Sequence, residues 1–305
     1  MAEILANQGF WPCFLGEKLQ MKKNKDLLKQ IGSMGIFGTI GLVRKHLSQG
    51  SGLIALVRGT VGALFLGLVS LATGRKIDRA GIKQNLGLLI VSGVLLGANW
   101  ACLFEAYNHT SISVATMCYY MAPVIVILVS TFIYKERMTK IQYVLTLVAL
   151  GGMLLVSGVF QEGGADLTGV VFGLVAACMY ATIVLLNRRI KNIAPMDRTM
   201  MQLAVSAVAM LPYVLWVEKL PSILPTGKEF VLLLVAGVLH TGVAYLMYFG
   251  SIPNLKAHTV AILSYIDPVV AVLVSVLVQR EPMTLMSGIG VVLVIGATAK
   301  LSMSK

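Results

Sequence analysis

Apolar runs long enough to cross the roughly 30 Å core of a bilayer as helices, about 20 residues each, follow one another along this chain with short polar gaps. They predict ten spans, near Leu28 to His46, Gly52 to Ala72, Asn85 to Tyr107, Ser113 to Tyr134 and Ile141 to Phe160, then Leu167 to Leu186, Met200 to Val217, Phe230 to Gly250, His258 to Val278 and Met283 to Leu301. A barrel strand would alternate apolar and polar residues. Runs such as Val124-Ile125-Val126-Ile127-Leu128-Val129 are apolar throughout, which leaves helices. No gap is long enough to hold a soluble domain.

Composition agrees with a lipid environment: 57% of 305 residues are hydrophobic, 12% are charged, and the mean hydropathy is +0.83. The net charge of +12 would suit a nucleic-acid partner, but its placement argues against one. With ten spans and an inside N-terminus, 19 of the 25 Lys and Arg fall in inside segments and 5 in outside ones, leaving Arg58 within a helix. That asymmetry is the positive-inside rule, and it places both termini in the cytoplasm of a cell, or plasma, membrane, here read as a bacterial inner membrane.

The first twenty residues lack the apolar core of a cleavable signal peptide. Met21-Lys22-Lys23-Asn24-Lys25 has more the look of a bacterial start than Met1 does, so residues 1 to 20 are expected to be dispensable. Of the four cysteines, Cys13, Cys102, Cys118 and Cys178, the last three lie in predicted helices with no CxxC or His pairing, and small apolar packing accounts for them.

A shift of 145 residues aligns the two halves. Tyr120 falls on Tyr265, Pro123 on Pro268, Ser130 on Ser275, Glu136 on Glu281 and Thr139 on Thr284, and residues 120 to 139 agree with their counterparts at 9 of 20 positions. Each copy holds an odd number of spans, so the second must enter the membrane from the opposite side. The expected architecture is all-α integral membrane: ten transmembrane helices as two inverted five-helix repeats, at 28–160 and 167–302, behind a cytoplasmic segment 1–27. Inverted repeats suit carriers, because two similar halves can exchange conformations around a central site.

The segments Tyr120-Met121-Ala122-Pro123-Val124 through Lys135-Glu136-Arg137-Met138-Thr139, and Tyr265-Ile266-Asp267-Pro268-Val269 through Arg280-Glu281-Pro282-Met283-Thr284, resemble the paired signature of EamA-type transporters of the drug/metabolite transporter superfamily. In that signature an apolar helix with a mid-span Pro ends in a Glu before a short turn. Lys135 and Arg280 stand where the family usually has Gly, so the turn is expected to differ in detail. The resemblance implies a ten-helix carrier with cytoplasmic termini that moves small metabolites, amino acids or xenobiotics, often outward. It also implies that the fourth and ninth helices line a central cavity and that the fifth and tenth are peripheral.

Asp267 is the foremost candidate, about eleven residues into the ninth helix and hence roughly 16 Å deep. An intramembrane carboxylate is costly unless paired, protonated or water-facing. Pro268 removes a backbone donor beside it and disfavours helical geometry at Asp267 itself, while a neutral Asp capping the kink is the alternative. Pro123 predicts a matching kink without a carboxylate, since Ala122 stands opposite Asp267. Arg58 and Glu105, both toward outer helix ends, are expected either to pair at an outer vestibule or to snorkel to the interface. Tyr119, Tyr120, Tyr265, Trp100 and Tyr245 offer aromatic faces for a solute, or act as filler and anchors. His240 reads as a hydrogen-bonded packing residue, and Glu136 and Glu281 as caps at helix-end turns. Gly32, Gly35, Gly38 and Gly41 form a smooth stripe for close helix approach.

No Walker A, HExxH or GxSxG pattern occurs. The leading expectation is a secondary transporter, working outward, that operates by alternating access without metal or cofactor. A channel, a scaffold and an intramembrane enzyme are the alternatives. The expected partners are a small-molecule substrate, a coupling proton or cation and the lipid bilayer, with no nucleic acid, and a homodimer is left open.

Overall fold

The structure, a computed structural model, describes residues 10–133, 139–156, 167–218, 227–251 and 263–303, with 225, 255 and 260, and among these the regular elements are all helical. Lys135, Glu136, Arg137 and Met138, the first residues of the ninth predicted span, and the side chains of Cys13 and Pro123 lie outside the described set. Helices satisfy their backbone hydrogen bonds internally, which is what a chain surrounded by hydrocarbon requires.

In chain order the elements are α1 (Phe10–Gly38), α2 (Ile40–Lys45), α3 (Ser51–Ala72), α4 (Arg79–Gln84), α5 (Leu86–His109), α6 (Ile112–Tyr119) and α7 (Ala122–Ile133). There follow α8 (Lys140–Val156), α9 (Leu167–Asn187), α10 (Pro195–Trp216), α11 (Gly227–Leu234), a π-helical stretch (Val235–Val243), α12 (Ala244–Ser251), α13 (Ile266–Leu273), a second π stretch (Val274–Val278) and α14 (Leu285–Met303). Among the described residues, Ser51–Ala72, Leu86–His109, Leu167–Asn187, Pro195–Trp216 and Gly227–Ser251 are long and apolar enough to cross a membrane, and Lys140–Leu155, Ile266–Val278 and Leu285–Lys300 are shorter apolar helices.

Helix α3 shows which side faces lipid. Leu64, Leu68 and Leu71 are exposed, whereas its buried face carries Ser51, Arg58, Gly59, Gly62 and Ser70. A soluble helix would not leave these three leucines exposed; here the buried face holds polar and small residues beside Ile54 and Leu66, with the charged Arg58 among them. Small residues let backbones close up: a Cβ on Gly59 would lie 3.0 Å from the Leu203 carbonyl of α10. Helix α3 packs on α10 and the first π stretch, α5 packs between α9 and α10, α1 runs along α12 and α13, and α8 pairs with α14.

Two expectations about boundaries change. The first predicted span is longer and interrupted, with helix from Phe10 and a break at Thr39, where the backbone tightens to an i→i−3 bond, Thr39 N to Ile36 O at 3.1 Å. The seventh starts at Pro195, five residues before Met200, because Pro at the first helical position needs no donor and Asp197 in the first turn is held by Arg75 at 3.0 Å.

Candidate functional site

Four helical irregularities converge. Helices α6 and α7 are separated at Tyr120 and Met121, and α13 begins after a turn at Tyr265. In each case a proline follows within the first turn of the new helix, Pro123 at its second position and Pro268 at its third. Proline lacks the N–H that would continue the ladder and crowds the carbonyl four residues back, so the interruption falls upstream of the ring. Asp267 is therefore helical, contrary to the expectation that Pro268 would drive it out of helical geometry. The break falls at Tyr265 instead.

The two breaks are joined. Tyr120 Oη donates to Asp267 Oδ2 at 2.6 Å. The third break meets them from α1: a Cβ on Gly38 would lie 2.5 Å from the Asp267 carbonyl oxygen and 2.7 Å from Val270 Cβ. Only glycine lets these backbones approach so closely. Within the same stripe Gly32 faces Met247 and Gly41 faces Ile112, while Gly35 has open space. The fourth irregularity is the π stretch, whose His240 is buried with Nε2 3.0 Å from Thr39 Oγ1 at the α1 break and Nδ1 3.3 Å from Val235 O. Thr39 Oγ1 also donates to Ile36 O at 2.8 Å, so the hydroxyl lies between a carbonyl of α1 and the His240 ring. Widened π turns recur where helices carry function.

Arg58 lies beside His240. Its Nε donates to Thr241 Oγ1 at 3.0 Å, and its guanidinium sits 4.0 Å from the Trp100 ring centroid and 5.4 Å from that of Phe104. The expected pairing with Glu105 does not form. Glu105 accepts from Ser51 Oγ at 2.8 Å and Asn108 Nδ2 at 3.0 Å, and lies 3.3 Å from His109 Nε2. Depth explains the separation: Arg58 is two turns further along α3 than Ser51, about 10 Å deeper.

Aromatic rings fill the space between Arg58 and Asp267. Tyr107, Tyr119 and Tyr245 are within electrostatic range of both. Tyr119 packs edge-on to Tyr120 at 6.3 Å and against Tyr180 at 5.4 Å, and its hydroxyl reaches Asn99 Oδ1 at 3.5 Å. Asn99 in turn donates to Ala176 O at 2.6 Å. Tyr245 packs on Phe37 of α1 at 5.3 Å and on Phe249 at 5.7 Å. Tyr265 is the half-buried turn residue itself. Tyr180, Tyr248, Phe37 and Phe249 join them, beyond the candidates that the sequence singles out. The spacing of Tyr245, Tyr248 and Phe249 on one helical face was a usable signal for two of them; Tyr180 offered none.

A set of glutamates binds one end of the bundle, the end that the charge pattern assigns to the outside. Glu218, after α10, accepts from Gly52 N at 2.7 Å and Leu53 N at 2.9 Å, capping α3 from another helix. Glu281 accepts from Ile112 N at 2.8 Å, bonds Ser275 and lies 3.4 Å from Lys45 Nζ, so the signature glutamate of the second repeat caps α6 of the first. Glu229 bonds Ser48. At the other end, Asp197 holds Arg75, and Asn85 donates to Lys191 O at 2.9 Å.

Comparison with known proteins places this geometry in context. The profile described as "EamA-like transporter family" matches residues 27–158 and again 167–303. A protein of Bacillus subtilis (strain 168) named "Uncharacterized transporter YxxF" is 28% identical over 283 residues, covering 91% of this chain and 89% of its own length. The "Pseudopaline exporter CntI" of Pseudomonas aeruginosa (strain UCBPP-PA14) is 30% identical over 128 residues, 42% of this chain and 43% of that one. A solved structure titled "Crystal structure of protein" superposes with a TM-score of 0.64 at 18% identity, covering 90% of this chain and 96% of that chain, a likeness of fold alone.

Proposed function

This chain belongs to the EamA-like transporter family, a multi-pass membrane transporter rather than an enzyme by its relatives, and from that premise we propose that it is a secondary carrier that exports a small metabolite by alternating access. In this reading ten spans form two inverted five-helix repeats, 28–160 and 167–302. Both termini are cytoplasmic, and the membrane is a bacterial inner membrane. The two halves rock about a site between Asp267 and Arg58. The observation that carries the proposal is the meeting of three helix breaks and a π stretch at Asp267, Tyr120, Gly38 and His240. Interrupted helices expose polar groups at mid-membrane, and packed elements with two discrete arrangements are what alternating access needs.

Each candidate residue has a part. Asp267 takes a coupling proton, Tyr120 tethers it across the repeat boundary, and Tyr119, Tyr265 and Trp100 wall the site. Pro123 and Pro268 supply the hinges. The glutamate ties at Glu105, Glu218, Glu229 and Glu281 form the outer closure. Export as the direction draws support from the relative named a pseudopaline exporter.

Purified protein in proteoliposomes tests this. Saturable counterflow of a metabolite, made concentrative by a pH gradient and uncoupled in Asp267→Asn, is expected. Linear, unsaturated flux would mean a channel, and pH-driven transport by Asp267→Asn equal to that of the parent would remove Asp267 from the mechanism.

A further inference from the structure

We infer that Arg58 is the substrate-recognition point of the interior and that the substrate it receives carries a carboxylate. This rests on the carrier reading for its physiological meaning, but the binding step stands on the geometry of Arg58 alone.

Arg58 keeps only 4% of its surface exposed, inside a helix that faces lipid on its other side. Its guanidinium has five N–H donors. One of them, Nε–H, is spent on Thr241 Oγ1 at 3.0 Å. Among the described residues no carboxylate comes within ion-pair distance of Arg58, and the terminal nitrogens have no hydrogen-bond acceptor. Buried arginines are ordinarily paired, since an uncompensated charge in a low-dielectric interior is strongly unfavourable. Among the described residues the nearby carboxylates are engaged elsewhere: Glu105 with Ser51, Glu218 with the α3 N-terminus, Glu229 with Ser48, Glu281 with the α6 N-terminus, and Asp267 with Tyr120.

The surroundings hold the guanidinium in one orientation. Trp100 stacks at 4.0 Å and Phe104 lies at 5.4 Å, so a face of the plane is taken by aromatic rings. Thr241 fixes one edge, and is itself anchored by donating to Ala236 O at 3.0 Å within the π stretch. A Cβ on Gly62 would lie 2.5 Å from Thr241 Cγ2, which keeps α3 seated against that stretch. What remains is the in-plane fork of the two terminal amino groups. That fork matches a carboxylate bidentately, two parallel N–H···O bonds, in a way that an ammonium or a neutral amide cannot be matched. Tyr107, Tyr119 and Tyr245 lie within electrostatic range of it.

Trp100 provides the readout. In a Trp11→Phe/Trp216→Phe background the fluorescence of purified protein reports the ring on which Arg58 stacks. The titrants are acetate, benzoate, phenylacetate and the twenty amino acids, each set beside its neutral amide. At least one carboxylate is expected to shift the signal saturably while its amide does so at least about ten-fold more weakly. Arg58→Gln should abolish that response. Arg58→Lys, which keeps the charge and loses the fork, should weaken it about ten-fold, and Thr241→Val several-fold, all with unchanged helical circular dichroism. If no carboxylate in the panel shifts the signal, if amides act as well as acids, or if the charge-preserving Lys variant binds as the parent does, the assignment is wrong. Carboxylate binding without flux in vesicles would overturn the carrier reading and leave this site standing; flux without carboxylate selectivity would do the reverse.

Discussion

Tyr120 and Asp267 are joined by a 2.6 Å hydrogen bond that links the breaks of two segments which are copies of each other in sequence. A bond to a carboxylate contributes about 1.5–3 kcal/mol, enough to bias a packed two-state element by ten-fold or more. Tyr120→Phe is therefore expected to lower concentrative flux about ten-fold, and Asp267→Asn to lower it further and flatten its dependence on pH. The double variant should be no worse than Asp267→Asn, because the two side chains act as one unit. Initial rates in proteoliposomes across pH 5.5 to 8.5 check this.

Gly38 and Gly35 lie one turn apart on α1 and make opposite predictions. A methyl group at Gly38 would press on the Asp267 carbonyl at 2.5 Å, backbone that has no room to give, whereas at Gly35 it would meet nothing within 4 Å. Overpacking of this kind costs about 1–3 kcal/mol. Gly38→Ala should lower the melting temperature in detergent and depress transport, and Gly35→Ala should leave both near the parent values.

The contrast shows what was legible beforehand. The glycine stripe could be read from spacing, but not which glycine meets a carbonyl, since that depends on a helix more than 200 residues away. Apolar runs revealed the helical class because lipid forces backbone bonds to close locally. Prolines announced the interruptions at Tyr120 and Tyr265, although the steric conflict acts on preceding carbonyls and so displaced them upstream. The break at Thr39 has no proline, and the π stretch at Val235–Val243 has no local mark at all; the two meet through the Thr39 and His240 contact, which joins residues 201 positions apart. Arg58 was picked out as a charge within a helix. Pairing with Glu105, one of its two sequence readings, does not form, because two turns of α3 part Arg58 from Ser51, the donor to Glu105.

Glu218 caps α3 through two backbone N–H groups, Gly52 and Leu53, that have no partner within their own helix. Replacing Ser, Thr, Asn or Asp caps by Ala costs about 0.5–2 kcal/mol. Glu218→Ala is expected to fall at the upper end, as the lost bonds are charge-assisted and bridge two helices. Glu218→Gln should recover part of the loss. Thermal unfolding of the three proteins in the same detergent measures both.

Arg280 tests how the turn tolerates its departure from the family pattern. Its φ is +54°, in the left-handed region where a side chain costs roughly 1–2 kcal/mol and glycine costs little. The side chain is exposed, so its removal forfeits little packing. The neighbouring Glu281 must stay in place, because its carboxylate caps α6 and reaches Lys45. Arg280→Gly is thus expected to relieve strain at a position built for glycine and to raise the melting temperature by a few degrees, equivalent to about 0.5–1 kcal/mol once the extra freedom of the unfolded chain is deducted. Arg280→Val, β-branched and least suited to positive φ, should lower it. Equal melting temperatures for the Gly and Val variants would mean that the turn relaxes to another conformation, and the tie between Glu281 and Ile112 would then have to be held by a different backbone.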